Sequence, residues 1–355
     1  MMIKKQKVTI KDIASQFSVS PATVSLVLND KWKQSGIKDA TAEKILKFAN
    51  ESGYVVNSQA RALRLKQNNL IGMIVPTYRN RFYASLTEIL ELEAKKEGWH
   101  AITMNANHHS EDEYHALQSL LSLNIQKIVL AGVSSPQPLN ALCEKLQIQV
   151  VNIDTPYMPI PSIVSDNAYG AEQLTLALLQ NIDKKQYGQS ALDYIYFMGG
   201  AHDSYTTIKR IEGFREAHKK LGLPFVDDQI LLCPYTAKDS YILFEKLIAE
   251  LQGIPLGIFS NSLYSLEGIA MFLKENPEIY REILSRHIGC FDWHPFANFL
   301  PFNMEIIRQP VEKIIEETIN ILLKNKQTEG QLIKIKPQLI KTGGIYERRA
   351  EHTRP

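Results

Sequence analysis

Four short polar side chains with hydrogen-bond donors are concentrated in one N-terminal stretch: Ser20, Thr23, Ser25 and Asn29. Hydroxyl and amide groups on a helix can donate to the phosphate oxygens of DNA, which positions the helix without reading the base sequence. Each of the four could instead cap a helix or stabilise a turn. Ser20 in particular precedes Pro21, and a serine N-cap before a proline at the first helical position is a common helix start.

Signatures of catalysis and metal binding do not occur in the sequence. There is no nucleophile elbow, no glycine-rich phosphate loop and no dinucleotide fingerprint. His108, His109 and His115 could suggest a metal site, but no cysteine or carboxylate completes a recognised ligand spacing, so we expect them at a cleft rim or surface. We therefore expect a protein that is not an enzyme and needs neither a metal nor another cofactor.

Two short helices joined by a tight turn are predicted within residues 8–29. Thr9 is a suitable N-cap for the first helix, with Asp12 three residues later. After the turn at Ser18-Val19, apolar residues recur at helical spacing in the second helix. Two helices of about eight residues cannot bury a core, so a third is required, and residues 41–52 supply its apolar face.

Short β-rich runs alternate with helical patterns from Leu70 onward. The expected strands are 71–75, 101–104, 127–130, 150–153, 194–198, 230–232, 256–259 and 288–291. This rhythm predicts parallel sheets covered by helices on both faces, arranged as two similar α/β halves.

Charge is divided unequally along the chain. Residues 1–68 hold 12 lysines and arginines against 5 acidic residues, whereas the remainder holds 28 against 33. A basic N-terminal part on a mildly acidic body suits a module that seeks phosphates, although lysine-rich solvated termini are also common.

Cysteine usage and hydropathy bear on the cellular compartment. Cys143, Cys233 and Cys290 are odd in number and widely spaced, so neither a disulfide framework nor a zinc site is expected. The N-terminus MMIKKQKVTI has no apolar signal-peptide core, and no later run has the length of a membrane helix. We expect a cytoplasmic protein without a membrane partner.

The run Thr23-Val24-Ser25-x-Val27-x-Asn29 opens a series of motifs that continues through Thr41, Gly53-Tyr54, Asn57, Ala60-Arg61-x-Leu63 and Ile71-Gly72-Met73-Ile74-Val75-Pro76. In this order they resemble the lactose-repressor/galactose-repressor (LacI/GalR) family, and weaker similarity extends to Lys341. The resemblance implies a small all-α helix-turn-helix headpiece followed by a periplasmic-binding-protein-like α/β core of two doubly wound parallel-sheet lobes.

The resemblance also divides the chain. It implies a headpiece at 1–56, a hinge helix or linker at 57–69, a core for effector binding and dimerisation at 70–345, and a tail at 346–355. Crossings between the lobes are expected near 166, 308 and 328. The N-lobe would then hold about 70–166 and 308–328, and the C-lobe about 167–307 and 329–345.

In the family the second helix of the headpiece lies in the major groove, which maps base contacts here onto Pro21, Ala22 and Leu26. None of these side chains donates a hydrogen bond, so they can read thymine methyl groups and shape but cannot make a bidentate contact to guanine. Many relatives have arginine at the position of Leu26. The basic loop Asp30–Lys38 could follow the DNA backbone, or its Trp32 could close the small core.

The segment Ala60-Arg61-Ala62-Leu63-Arg64 resembles the hinge helix of the family, which folds on operator DNA. The resemblance implies that Leu63 wedges between central base pairs in the minor groove, and it assigns Asn57, Arg61 and Arg64 to the DNA contact as well. A segment this short should not be helical by itself in water, so its folding would be coupled to DNA binding.

The resemblance assigns effector binding to five residues: Asp154, Arg210, Tyr235, Asn261 and Asp292. Arg210 stands in Arg210-x-x-Gly213-Phe214, and Arg210, Asn261 and Asp292 are expected at or next to strand or loop ends, where ligands of open α/β sheets bind. Asp154 and Tyr235 are weaker assignments, from the other lobe and from an aromatic wall. Taken singly, a strand-end arginine or aspartate is more often a cap or an ion-pair partner. Departures at Lys127, Ser262 and Trp293 leave the effector open between a sugar and a sugar phosphate.

The expected protein is a homodimeric regulator, in the main hypothesis a repressor of carbohydrate uptake or catabolism genes on palindromic double-stranded operator DNA. A dimer is favoured over a tetramer because eleven residues, Ile345 to Pro355, follow Gly343-Gly344, too few for a tetramerising coiled coil. Alternatives are a repressor controlled by a purine, a nucleoside or a partner protein. A solute-binding protein would lack residues 8–68, and an α/β enzyme is allowed by fold alone.

Overall fold

The computed structural model describes residues 8–54, 69–180, 182–300, 304–324 and 330–341, without the side chains of residues 298 and 299. The chain forms two compact units, Met1–Asn68 and Asn69–Pro355, and each is described by itself. The predicted hinge residues Asn57, Arg61, Leu63 and Arg64 lie outside the described residues.

The described part of the headpiece, residues 8–54, contains three helices, α1 (Ile10–Gln16), α2 (Pro21–Leu28) and α3 (Asp39–Glu51). Thr9 and Asp12 form a capping box at the start of α1, which confirms the predicted N-cap. Ser18 closes the turn before α2 with a left-handed φ of 50°. The core is built from fully buried side chains of all three helices: Ile13, Ala14, Val24, Val27, Ala42, Ile45 and Ala49.

The first lobe is built on a six-stranded parallel sheet. Its strands are β1 (Leu70–Val75), β2 (His100–Asn105), β3 (Lys127–Ala131), β4 (Gln149–Ile153), β5 (Ser162–Ser165) and β11 (Leu332–Ile335). They lie side by side in the order β11-β5-β4-β3-β1-β2. Helices α4 (Arg81–Lys96) and α12 (Val311–Leu323) cover one face, and α5 (Ser110–Ser122) and α6 (Pro136–Lys145) cover the other. Consecutive residues of a strand point to opposite faces of the sheet. Met73, for example, packs in the core on one face and Ile74 in the core on the other, as expected for a sheet buried on both faces.

The second lobe is also built on a six-stranded sheet. Its strands are β6 (Ile195–Met198), β7 (Ile230–Leu231), β8 (Gly257–Ser260), β9 (His287–Phe291), β10 (Met304–Arg308) and β12 (Gln338–Lys341). They lie side by side in the order β12-β10-β9-β8-β6-β7. The edge strand β12 runs antiparallel to β10, whereas the other pairs are parallel.

Helices also cover both faces of the second sheet. Helices α7 (Asn167–Leu179) and α8 (Tyr205–Leu221) lie on one face, where Phe197, Phe214 and Phe259 form an aromatic core. Helices α9 (Ala237–Leu251), α10 (Leu263–Glu275) and α11 (Pro277–Ile283) lie on the other. The predicted two-lobed α/β core is therefore confirmed.

The chain passes between the lobes after β5, after β10 and after β11. The first two passages lie at the residues predicted for them, near 166 and 308. The third crossing, expected near 328, is wrong, because Leu332–Ile335 pairs with Ser162–Ser165 in the first sheet and the chain enters the second only before Gln338. Both four-residue strands lie at sheet edges with mixed exposure, so their hydrophobic pattern does not distinguish one sheet from the other.

Among the described residues, no helix is both long enough and apolar enough to span a bilayer.

Replacing Gly213 by alanine tests the close contact between α7 and α8 in the second lobe. A Cβ at this position would lie 2.1 Å from the carbonyl oxygen of Ala168 and 2.8 Å from the amide nitrogen of Glu172. Helix propensity alone favours alanine by about 1 kcal/mol, but forcing α7 and α8 apart should cost about 1–3 kcal/mol. We expect urea denaturation to show a lower free energy of unfolding for Gly213→Ala. Lys219→Ala, at an exposed position of α8, should change it little, and a stabilised Gly213→Ala protein would contradict this packing.

Candidate functional site

The first turn of α2 forms an exposed surface on the headpiece. Ser20, Pro21 and Ala22 are exposed, whereas Leu26 is half-buried beside them. The Ser20 hydroxyl oxygen accepts a hydrogen bond from the Thr23 amide at 3.0 Å, so the predicted cap role of Ser20 is confirmed. The side-chain orientation required for base contact by Pro21, Ala22 and Leu26 stays a prediction.

The other polar residues of this helix also take part in local hydrogen bonds. Thr23 Oγ1 lies 2.9 Å from the Ser20 hydroxyl, and the Asn29 side-chain amide donates to the carbonyl oxygen of Ser25 at 2.6 Å. These bonds stabilise the two ends of α2. A hydroxyl has further hydrogen-bonding capacity, so they are compatible with phosphate contacts by the same groups.

The basic loop after α2 is held by its aromatic residue. Trp32 packs half-buried against the headpiece core, and its indole N–H donates to Asp39 at 3.2 Å. The loop lysines Lys31, Lys33 and Lys38 are exposed. Trp32 therefore closes the small core, as one of the two interpretations held, while contact of the lysines with DNA stays a prediction.

A cavity of about 210 Å³, here called the cleft cavity, lies between the two lobes of the core. It is lined by segments that follow the carboxyl ends of strands, including Gly132–Ser134 after β3, Asp154 after β4 and Asp292 after β9. Because carboxyl ends of parallel strands mark the ligand edge of an open α/β sheet, both lobes turn their ligand edges toward one space.

Arg210 is the central cation of the cleft cavity and is 4% exposed. Its Nε donates to Asn167 at 2.9 Å, and its Nη1 donates to the Asn261 carbonyl oxygen at 2.6 Å. The guanidinium carbon lies 3.7 Å from the ring centre of Phe291, a close cation–π contact. Hydrogen bonds among the described residues use Nε and Nη1, which leaves Nη2 for a ligand.

Asp154 is the anion supplied by the first lobe. It is 7% exposed and adopts a left-handed φ of 70° directly after β4. Its Oδ2 accepts a hydrogen bond from the Tyr83 hydroxyl at 2.8 Å. Burial raises the pKa of this carboxyl, while the Tyr83 bond and Arg210 act in the opposite direction. Burial and the Asp154 charge hold the pKa of Tyr83 well above its usual value, so Tyr83 remains a hydrogen-bond donor.

Asp292 is the matching anion of the second lobe, directly after β9 and with a φ of 87°. Its Oδ1 accepts from the side-chain amide of Gln309, whose oxygen accepts from the Ser165 hydroxyl at 2.6 Å. Burial raises the pKa of Asp292, and Arg210 and the Gln309 bond lower it. Gln309 thus connects Ser165, at the end of β5 in the first lobe, to the Asp292 carboxylate of the second lobe.

Tyr235 lies in the wall of the cleft cavity, whereas Asn261 lies behind it. Tyr235 lines the cleft cavity and shares a 2.7 Å hydrogen bond with Thr207, one turn before Arg210 on α8. Asn261 is fully buried behind the cavity wall, where its amide lies 3.3 Å from the Tyr235 hydroxyl and its carbonyl holds Arg210. The structure therefore brings four predicted effector residues to the cavity and places Asn261 as their support.

Sequence reasoning missed Tyr83, Gln309 and Glu113. Gln309 directly follows β10, a strand end that could have been searched for polar side chains, whereas Tyr83 lies in the first turn of α4, beyond the loop that follows β1. Glu113 is buried on α5, where its carboxylate accepts from the Ser134 amide at 2.6 Å, the Ser134 hydroxyl at 2.9 Å and the Ser135 amide at 3.3 Å. It fixes the cavity loop after β3, and no local pattern indicates this.

The three departures from the family pattern lie in different surroundings. Lys127 begins β3, at the end of the strand opposite the cleft cavity, and its ammonium lies 5.2 Å from the Trp99 ring centre. Lys127 is not part of the cavity wall. Ser262 caps α10 through a bond from the Ser265 amide and also lines the cavity. Trp293 lies under Arg308, with 5.5 Å between the guanidinium carbon and the ring centre.

The histidine-rich segment holds no metal arrangement. His108 lines the rim of the cleft cavity, as expected, and burial lowers its pKa. Within the part of the chain that the structure describes, no group of three or more histidine, cysteine or acidic side chains is arranged to hold a metal ion.

Comparison with known proteins identifies both units. Residues 9–57 match the family described as "Bacterial regulatory proteins, lacI family", and residues 68–287 match "Periplasmic binding proteins and sugar binding domain of LacI family". The ribitol operon repressor of Klebsiella aerogenes is 36% identical over 201 residues, which cover 57% of this chain and 73% of that protein. The sucrose operon repressor of Klebsiella pneumoniae is 23% identical over 308 residues, or 86% of this chain and 89% of the relative.

A solved structure supports the fold. The lac repressor dimer bound to operator and the anti-inducer ONPF matches with a TM-score of 0.77 at 16% identity, covering 95% of this chain and 99% of that chain. A helix-turn-helix headpiece followed by a two-lobed core with a ligand cleft defines a DNA-binding transcription regulator. The chain belongs to the LacI family of bacterial regulatory proteins.

Replacing Glu113 by glutamine tests whether this carboxylate holds the cavity loop. Glutamine presents an NH₂ group where a carboxylate oxygen now accepts from backbone N–H groups, so two donors would face each other. We expect hydrogen–deuterium exchange to show faster uptake in residues 132–135 of Glu113→Gln. Glu111→Gln, at an exposed position in the same helical turn, should exchange like the parent. Equal uptake in all three proteins would show that the loop does not depend on Glu113.

Proposed function

We propose that this protein is a homodimeric repressor of genes for the uptake or breakdown of a sugar or sugar alcohol. Its headpiece binds palindromic operator DNA, and a small polyhydroxyl effector in the cleft cavity controls that binding. The proposal places the protein in the cytoplasm and gives it no catalytic role.

One observation carries the effector part of the proposal. Arg210 donates to the protein through Nε and Nη1, Asp154 accepts through Oδ2 and Asp292 accepts through Oδ1. Arg210 Nη2, Asp154 Oδ1 and Asp292 Oδ2 make no hydrogen bond among the described residues. A donor nitrogen and two acceptor oxygens, from both lobes, thus remain around one cavity. Hydroxyl groups both donate and accept, so a polyol can satisfy all three.

The relatives support the same class of effector. The ribitol and sucrose operon repressors are named for operons of a sugar alcohol and a sugar. Over the 201 residues that align, this chain is 36% identical to the ribitol operon repressor. We therefore propose a polyhydroxyl effector for this chain as well, and genes for the uptake or breakdown of that compound as its targets.

The headpiece supports operator binding through charge and exposure. Residues 1–68 carry a charge excess of seven positive groups, and the exposed start of α2 offers Ser20, Pro21 and Ala22 to a groove. Each phosphate that a lysine or arginine neutralises should add about 0.9 to the slope of log affinity against log salt concentration. Binding that is steep in salt and specific for one palindrome is the expected behaviour.

Arg210→Ala tests the coupling of cleft and headpiece. An operator is first selected from random palindromes with the full chain, and fluorescence anisotropy then measures affinity with and without ribitol, xylitol, mannitol and their parent sugars. The parent should respond to at least one compound. Arg210→Ala should need about ten- to a hundredfold more effector for the same change in operator affinity, because a charged hydrogen bond of about 1.5–3 kcal/mol is lost.

Arg215→Ala is the matched control, since Arg215 lies on α8 with its side chain 51% exposed and bonded to Asp227 at the surface. It should respond like the parent. Absence of any selected operator at low salt would overturn the proposed function, and an unchanged response in Arg210→Ala would overturn the placement of the effector.

A further inference from the structure

Acidic groups outnumber basic ones in the wall of the cleft cavity. The wall includes the buried Asp154 and Arg210, here called its floor together with Asp292, and the exposed Asp203, here called its rim. The remaining titratable rim group, His108, has its pKa lowered by burial, so near neutral pH it adds no positive charge. An anionic ligand would therefore meet more negative than positive charge on entry.

Three donor groups of the cavity wall that could compensate an anion are engaged within the protein. The Tyr83 hydroxyl donates to Asp154, the Ser134 hydroxyl to Glu113, and the Gln309 amide to Asp292. A phosphate ester carries about −1.5 to −2 charges and only accepts through its terminal oxygens. Arg210 Nη2 offers it a donor, whereas the unused oxygens of Asp154 and Asp292 would repel it.

Two further arginines lie outside this wall. Arg79 and Arg81 are exposed and line an adjoining cavity at the cleft mouth, together with Glu267 and His294. Exposed charges are screened by water, and Glu267 offsets part of their field. Asp292 lines that cavity as well, and around the two cavities together four carboxylates stand against three arginines, so acidic groups still outnumber basic ones.

We infer that the cleft cavity binds an uncharged polyol or monosaccharide and discriminates against the phosphate ester of the same compound. This inference rests on the proposed function and names the chemical class of its effector. The size agrees, because about 210 Å³ is below the roughly 300–1,000 Å³ of sites for larger ligands. In the complex, ligand hydroxyls donate to the two carboxylates and accept from Arg210 Nη2.

Isothermal titration calorimetry of the full chain tests the inference with matched pairs. Ribitol, xylitol, mannitol, ribose and fructose are each titrated beside their phosphate monoesters. We expect at least one unphosphorylated compound to bind, and its ester to bind about a hundredfold more weakly or not at all, as like charges placed together in a buried site require.

Asp154→Asn ties the discrimination to charge. Asparagine tolerates the left-handed φ of 70°, and its side-chain oxygen can still accept from Tyr83. Removing one negative charge should reduce the affinity ratio between the polyol and its ester by about tenfold. Glu278→Gln removes an equal charge at an exposed position of α11 and should leave the ratio unchanged.

The outcomes separate the inference from the proposed function. An ester that binds more tightly than its parent compound overturns the discrimination and leaves a polyhydroxyl effector standing. Binding of purine nucleosides, with no response to any compound of the panel, overturns the effector class and the inference together. An equal fall of the ratio in Asp154→Asn and Glu278→Gln would show that net charge, not the floor of the cavity, sets the preference.

Discussion

Burial of the Arg210 guanidinium is the constraint on which the core depends. A buried cation is tolerated only where opposite charge and hydrogen-bond acceptors replace water. Asn167 and Asn261 provide the acceptors, the Phe291 ring covers one face, and Asp154 and Asp292 provide the charge. The two asparagines, the ring and Asp292 belong to the second lobe with the arginine itself, whereas Asp154 adds a charge from the first lobe across the cleft cavity. The close approach of α7 and α8 at Gly213 in turn fixes the helix that carries the arginine.

The same arrangement gives the effector a way to act. A ligand that bonds to Asp154 and Asp292 together contacts both lobes, and its affinity then depends on their relative position. Gln309 already links the lobes through Ser165 and Asp292, so the ligand adds to an existing connection. A ligand can shift an equilibrium between lobe positions only by the difference in its affinity for them. Contacts on both sides of one cavity provide such a difference.

Local signals predicted much of this structure. Thr9, Ser20 and Pro21 specify their helix starts from neighbouring residues alone, and strand-end positions indicated Asp154 and Asp292 once the family resemblance was included. Arg210 came from the resemblance alone, since it lies within α8 and not at the strand or loop end expected for it. What failed depends on distant partners. The sheet that receives Leu332–Ile335 is decided by pairing with β5, and Glu113 has its role only because Ser134 lies beside it, 21 residues along the chain. Asn261 was assigned correctly to the region but not to its buried place behind the wall.

Hydrogen–deuterium exchange with the polyol of highest affinity tests most directly whether one small ligand is held by both lobes at once. Exchange is measured in the full chain with and without saturating ligand, over peptides that cover 131–135 after β3 and 258–264 around the end of β8. A ligand that bridges the lobes should slow exchange in both peptides, because each loses local opening when its side of the cavity is occupied. Slower exchange in one peptide, with the other unchanged at saturation, would contradict a ligand shared between the lobes.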